Sequence, residues 1–241
     1  MDKITVYGHD LVTDIMGRWT FAELVYAAMS DGTRPTAQQA RMIDVLLTTF
    51  VDHGVTPSSL ATRLTLLGSP ESIQAAIAAG LCGAGSRYLG TMQLAGEMLA
   101  SAVARHGRPK NSAEVQSLAG LIVEEHLSAH RQVPGLGHPE HKDGDPRTPR
   151  LLEIARETGV ASVHSELMIA LAESFEKARG RRLPVNAAGL SGAIVVDMGL
   201  DPLVGRGLAI VSRAAGLVGV VLSEMRHPTA QGIWDGLRTP S

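Results

Sequence analysis

The chain has 241 residues, a formal net charge of -2 and a composition that is 44% hydrophobic but only 3% aromatic. That length suits one domain or two small ones, and the near-neutral charge excludes the broad cationic footprint of a nucleic-acid binder. A single cysteine, Cys82, excludes an intrachain disulfide and fits a reducing, cytoplasmic setting. The Met1-Asp2-Lys3 start lacks the pattern of a signal peptide, and no apolar run is read as membrane-spanning.

The predicted elements are helices. Pro35-Thr36-Ala37 opens one with Ala40, Met42, Ile43, Leu46 and Leu47 at helical spacing, running to a stop at Gly54. Ser69-Pro70 starts the next, through Ile73, Ala76 and Ile77, and residues 80–90 are interrupted by glycines. Asn111 with Glu114 reads as a capping box ahead of Val115, Leu118 and Leu121. Val163, Leu167, Leu171 and Phe175 form a stripe ending at Lys177, Arg179 and Gly180. Asp201-Pro202 caps a long apolar helix through Leu208, Ile210, Val211, Leu217, Val218 and Leu222, and the tail after Arg226 reads as polar and mobile. No sustained alternation marks a strand, so the fold class is all-α. Residues 1–241 read as one domain with a small helical subdomain over 151–180, and a cleft between that subdomain and the main body would hold a site. Residues 190–222 are apolar almost all round, as in a core or at a subunit interface, which favours a homodimer or higher homo-oligomer.

Chemistry concentrates in the loop Gly135-Leu136-Gly137-His138-Pro139-Glu140-His141-Lys142-Asp143-Gly144-Asp145-Pro146-Arg147. Gly135 and Gly137 allow positive φ and close approach of a ligand to the backbone. Pro139 biases His138 toward an extended backbone. Asp145 reads as a helix cap with Pro146 at the first helical position, and Arg147 on the first turn can fork onto a carboxylate. Elsewhere, His53 in Val51-Asp52-His53-Gly54 is either a helix-end histidine or a ligand group. Gly83-Ala84-Gly85 follows a helix rather than a strand, so it marks close packing, or gives Arg87 or Tyr88 to a ligand, rather than a dinucleotide fingerprint. Asn186-Ala187-Ala188-Gly189-Leu190-Ser191-Gly192 is a small-residue turn opening a helix whose N–H groups can receive an anion, or a tight packing corner. Arg213 sits inside an apolar run and needs an anionic partner or ligand. Arg226, from the residues alone, suits the surface.

Together these segments resemble the citrate synthase superfamily. The histidine loop followed by Asp145-Pro146-Arg147 is similar to its signature in residue type and spacing, Val51-Asp52-His53-Gly54 to its upstream histidine motif, residues 186–192 to its Asn-Val-Asp-x-x-Ser-Gly segment, and Val211-Ser212-Arg213 to its carboxylate arginine. The order is the same from Tyr7 to Trp234. The short length resembles citryl-CoA lyases and the C-terminal module of ATP-citrate lyase.

The resemblance implies a citrate-synthase-like helical fold. It implies His53 and His138 against the oxo- or hydroxy-acid half of the substrate, and Arg147, Arg213 and Asn186 in substrate binding, with Arg226 contributed from a partner subunit. It places Lys142 near CoA phosphates and the backbone of Leu136 and Gly137 near the adenine. Coenzyme A is then part of a thioester substrate, with no tightly bound cofactor, no metal, and no nucleic-acid or membrane partner. Two departures matter: the family aspartate falls at Ala188 and a further family histidine at about Tyr88. Both would serve the acyl-CoA enolate. Making that enolate by deprotonation needs a base worth about 10²–10⁴-fold, whereas an enolate left by carbon–carbon cleavage needs only a proton, from water or Tyr88. The expectation is a carbon–carbon lyase acting on a 3-hydroxyacyl-CoA, with His138 taking the hydroxyl proton and His53 orienting the new carbonyl. The alternatives are condensation in the synthase direction and a non-catalytic acyl-CoA-binding relative.

Overall fold

The computed structural model describes residues 3–138 and 140–238. It opens with an antiparallel pair, β1 (Thr5–Val6) and β2 (His9–Asp10), and a π-helical turn over Leu11–Ile15. The helices are α1 (Phe21–Ala28), α2 (Ala37–Thr49), α3 (Pro57–Gly68), α4 (Ile73–Cys82), α5 (Ser86–Leu89), α6 (Thr91–His106), α7 (Ser112–Ser128), α8 (Arg147–Glu157), α9 (Val163–Arg179), α10 (Ala187–Asp197), α11 (Pro202–Arg226) and α12 (Ala230–Arg238). The all-α reading holds. Two compact units divide the chain, one from Met1–Leu46 with Thr91–Arg206 and the other from Leu47–Gly90 with Gly207–Ser241. Residues 151–180 contribute most of α8 and all of α9 to the first.

In the first unit α10 packs against α6, α8 and α9. Nearly every α10 side chain is small or aliphatic, and Ala187 and residues 189–195 are buried. Two glycines let this helix come so close. A Cβ on Gly192 would lie 2.1 Å from the Met92 carbonyl oxygen of α6, and one on Gly189 would lie 2.4 Å from the Gly135 Cα. The C-terminal end of α10 carries Asp197, whose buried carboxylate accepts from the backbone N–H of Ser162 (2.8 Å), His164 (3.0 Å) and Ser165 (2.9 Å) and from Ser165 Oγ (2.6 Å). Ser162 makes no side-chain cap of its own, so α9 is capped from another helix. Burial opposes the Asp197 charge, but His164, Ser165 and these N–H groups outweigh it and hold its pKa below the usual value.

In the second unit α3 packs on α4 and α12. Leu66, Ala76 and Val221 form a core cluster with Ile77 against it. Glu224 near the end of α11 accepts from the N–H groups of Thr229 and Ala230, both at 2.7 Å, from Thr229 Oγ1, and from Arg63.

Several expectations shift. The segment after Arg226, read as mobile, forms α12 over Ala230–Arg238, because Glu224 caps its first N–H groups from α11. α2 stops at Thr49 rather than Gly54, which instead turns a following loop at φ 63°. The helix expected at Ser69-Pro70 begins at Ile73 after a turn. α11 is long and apolar enough, by length and composition, to cross a membrane, contrary to the sequence reading. It buries Leu208, Leu217 and Val221 but exposes Ile210, Val218, Leu222 and Met225, so it is not apolar-buried all round.

The glycine contacts predict opposite signs for the same substitution. Gly189→Ala and Gly192→Ala should each destabilise by about 1–3 kcal/mol through overpacking. Gly120→Ala, mid-helix in α7 with nothing within 4 Å of the new methyl, should stabilise by about 0.5–1 kcal/mol. Thermal melts of the three variants check this.

Candidate active site

The histidine loop is held down at both ends. Gly135 and Gly137 have φ of 90° and 81°, as their residue type requires, but what approaches Gly135 is Gly189 of α10. Leu136 bridges Val185, the Gly137 N–H donates to the Pro184 carbonyl at 2.7 Å, and the Asn186 N–H donates to the Gly135 carbonyl at 2.9 Å. Asn186 does two jobs. Its Oδ1 caps α10 at the Gly189 N–H (2.9 Å) and its Nδ2 donates to the Gly137 carbonyl (2.7 Å).

Asp145 closes the other end. Its side chain is fully buried; Oδ1 accepts from the Arg147 N–H (3.1 Å) and Nε (2.9 Å), and Oδ2 from Arg147 Nη2 (2.9 Å) and the Ala187 N–H (2.9 Å). Burial raises its pKa, but the Arg147 guanidinium with the Ala187 and Arg147 N–H groups reverses that and holds it at about 2. Pro146, not Asp145, occupies the formal cap position, and α8 starts at Arg147. The carboxylate onto which Arg147 forks is therefore the chain's own, which fixes the plane of its guanidinium beside the loop. Lys142 is exposed, and Ala188, at the family aspartate position, is half-buried without an ionisable group.

The His138 ring is half-buried, and its Nδ1 accepts from the backbone N–H groups of Glu140 and His141, both at 3.1 Å. Backbone N–H groups can only donate, so the neutral ring carries its proton on Nε2. His138 is then a hydrogen-bond donor. The proton-acceptor role expected for it is not what this loop prepares.

Beside Leu136 and Gly137 lies a cavity of about 690 Å³ lined by His130, Arg131, Arg179, Arg181, Phe175 and Leu183 among others. Among the described residues none of the three arginines is in an ion pair, and Arg181 lies over the Phe175 ring at 5.9 Å. Three cations, an aromatic face and open loop backbone suit an aromatic polyanion. The sequence reading missed this group, although Arg179-Gly180-Arg181-Arg182 just before Asn186 and His130-Arg131 just before the loop carry the signal.

The second unit holds its own set. Asp52 Oδ1 accepts from the His53 N–H (2.8 Å) and the Gly54 N–H (3.1 Å), which shapes the turn presenting the exposed His53. α11 runs against this turn: Ser212 Oγ donates to the Leu47 carbonyl, and a Cβ on Gly216 would lie 1.7 Å from the Val51 oxygen. Arg213, between them, is 5% exposed. Burial lowers its pKa and the Asp52 charge opposes that, with no hydrogen bond to its guanidinium among the described residues. Such a buried fork suits a carboxylate. Tyr88 is half-exposed on the short α5 with the Arg87 guanidinium 5.8 Å from its ring centre. Arg226 is exposed at the end of α11, two residues beyond the Glu224 network.

Residues 9–233 match the family model for the citrate synthase C-terminal domain. The chain belongs to the citrate synthase family. Citryl-CoA lyase from Hydrogenobacter thermophilus is 32% identical, with a TM-score of 0.83 over 93% of this chain and 83% of that one. ATP citrate lyase from Methanothrix soehngenii, solved with citrate and coenzyme A, is 18% identical with a TM-score of 0.77; this chain covers 38% of it. Citrate synthase from Thermoplasma acidophilum, solved with carboxymethyl coenzyme A and oxaloacetate, is 21% identical with a TM-score of 0.66, and 54% of it is covered. The last two likenesses speak to the fold. A search of curated proteins returned no match.

The low pKa of Asp145 sets an acid limit. A carboxyl held below its ordinary 3.8 contributes stability that is complete above that value and lost as the pH falls from about 4 through about 2. Glu224, also held at about 2 against burial by the Ala230 and Thr229 N–H groups, Thr229 Oγ1 and Arg63, adds to the same window. Urea midpoints should fall steeply between pH 4 and pH 2, and Asp145→Asn should lower the neutral-pH midpoint while flattening that fall.

Proposed function

We propose that the chain is a citryl-CoA lyase-type enzyme, cleaving a 3-hydroxyacyl-CoA such as citryl-CoA into an acyl-CoA and an oxo acid. The likeness to the Hydrogenobacter citryl-CoA lyase carries this reading. The local chemistry agrees with it. Cleavage takes the proton from the C3 hydroxyl, breaks the bond between C3 and the thioester α-carbon, and leaves a carbonyl on one fragment and an enolate on the other. The enolate then takes one proton. His138 offers Nε2–H to the C3 oxygen, where charge grows when the hydroxyl is deprotonated. The hydroxyl proton leaves to a base other than His138, and substitution of His53 tests whether it is that base. Ala188 supplies no acid, so the enolate is protonated by water or Tyr88.

The arginine-lined cavity is the nucleotide site of the thioester in this reading, with the adenine against Leu136 and Gly137 and the phosphates among Arg131, Arg179 and Arg181. Lys142 is the additional cation on the loop. Arg147 and Arg213 are carboxylate anchors, with Arg226 a third. A binding-only relative is the second reading, and Ala188 favours it, since it puts no ionisable group at the family aspartate position.

The exposed Val218, Leu222 and Met225 share one face of α11, which we assign to a second copy in a cytoplasmic homodimer. Light scattering at micromolar concentration should give a dimer, and a monomer would remove this assignment.

The deciding assay follows citryl-CoA cleavage by release of acetyl-CoA. Turnover lost by at least about 10²-fold in His138→Ala supports the enzyme. Tight CoA binding with no turnover on citryl-CoA or related 3-hydroxyacyl-CoAs supports the binding-only reading. In calorimetry, Arg179→Ala and Arg181→Ala should each weaken CoA by about 1.5–3 kcal/mol and leave dicarboxylate binding unchanged, while Arg213→Ala should do the reverse.

A further inference from the structure

The chain has a second imidazole in the loop, His141, that none of the roles above uses. It is half-buried, and its ring centre lies 4.5 Å from that of His138 with the planes 34° apart. Its own backbone N–H is one of the two that donate to His138 Nδ1. One residue thus touches His138 twice, on the ring face through its side chain and on the ring edge through its main chain.

We infer that His141 is a positioning residue that props the His138 imidazole in one plane, edge-on to its backbone donors, and so keeps the catalytic proton on Nε2. Two N–H groups at 3.1 Å select a tautomer only while the ring edge stays aligned with them, since hydrogen bonds weaken steeply off axis. An imidazole turns freely about its χ2 unless something lies on its face. Offset ring contacts at this separation supply that restraint. The consequence for the reaction, which rests on the lyase reading, is that an N–H donor misplaced by a fraction of an ångström loses its value at the developing oxyanion.

The test pairs His141→Ala with His141→Phe, which keeps a ring face and the backbone N–H but has no ring nitrogen. Ring nitrogen-15 shifts of His138 in selectively labelled protein read the tautomer without any substrate. Wild type and His141→Phe should show Nε2 protonated and Nδ1 bare, and His141→Ala should show both tautomers in exchange. Cleavage of citryl-CoA should fall roughly tenfold to a hundredfold in kcat for His141→Ala, with KM within about twofold, and His141→Phe should recover most of it. Unchanged nitrogen shifts and turnover in His141→Ala would overturn the proposal. So would a His141→Phe variant as impaired as His141→Ala, since the nitrogens rather than the ring face would then matter. If wild type cleaves nothing, the lyase reading fails, but the nitrogen shifts still decide what His141 does.

Discussion

One buried carboxylate organises the first unit. Asp145 accepts four hydrogen bonds, three from Arg147 and one from Ala187, which lies 42 residues further along the chain. It joins the end of the histidine loop, the first turn of α8 and the first turn of α10 at a single point. Removing it would take an acceptor from the part-exposed Arg147 guanidinium and leave the buried Ala187 N–H unmet, and a buried polar group left unsatisfied costs about 1–3 kcal/mol. The groups proposed to face substrate are positioned relative to this point. Arg147 has its plane fixed by the fork, and Asn186 stands one residue from Ala187 with its amide tied to Gly137.

The same logic recurs at each helix end that matters. Asp197 caps α9 from α10, and Glu224 caps α12 from α11. In all three cases a carboxylate at low dielectric is held ionised by several N–H donors, which is stronger than a local cap by serine or threonine. Bare backbone and close contact do the rest. The Gly135–Gly189 approach lets α10 lie under the loop, and Gly216 lets the His53 turn lie on α11 beside Arg213. The chemistry therefore sits on rigid supports, as preorganised electrostatic stabilisation requires.

What the sequence showed was what local spacing encodes. The histidine loop, the Asn111 cap, the Val163–Phe175 stripe and the family resemblance were all legible, because each depends on residues within a few positions of one another. What it hid depends on distant partners. Asp145 reads as a helix cap in sequence, and its bond to Ala187 cannot be seen there. α12 looked like a polar tail because its cap lies in the preceding helix. Of the three cavity arginines, Arg179 and Arg181 are neighbours in sequence, but Arg131 comes from the turn after α7, so no single window shows all three converging. The tautomer of His138 is set by two backbone N–H groups, which no residue type announces.

The account stands or falls on what happens to the carbon–carbon bond of a bound 3-hydroxyacyl-CoA. The most direct measurement is to incubate the protein with citryl-CoA in deuterated water and read the products by mass spectrometry at early times. The account predicts oxaloacetate and acetyl-CoA, the acetyl methyl carrying a single solvent deuterium delivered to the enolate. Citryl-CoA recovered intact, or free CoA with citrate from hydrolysis of the thioester, would contradict it.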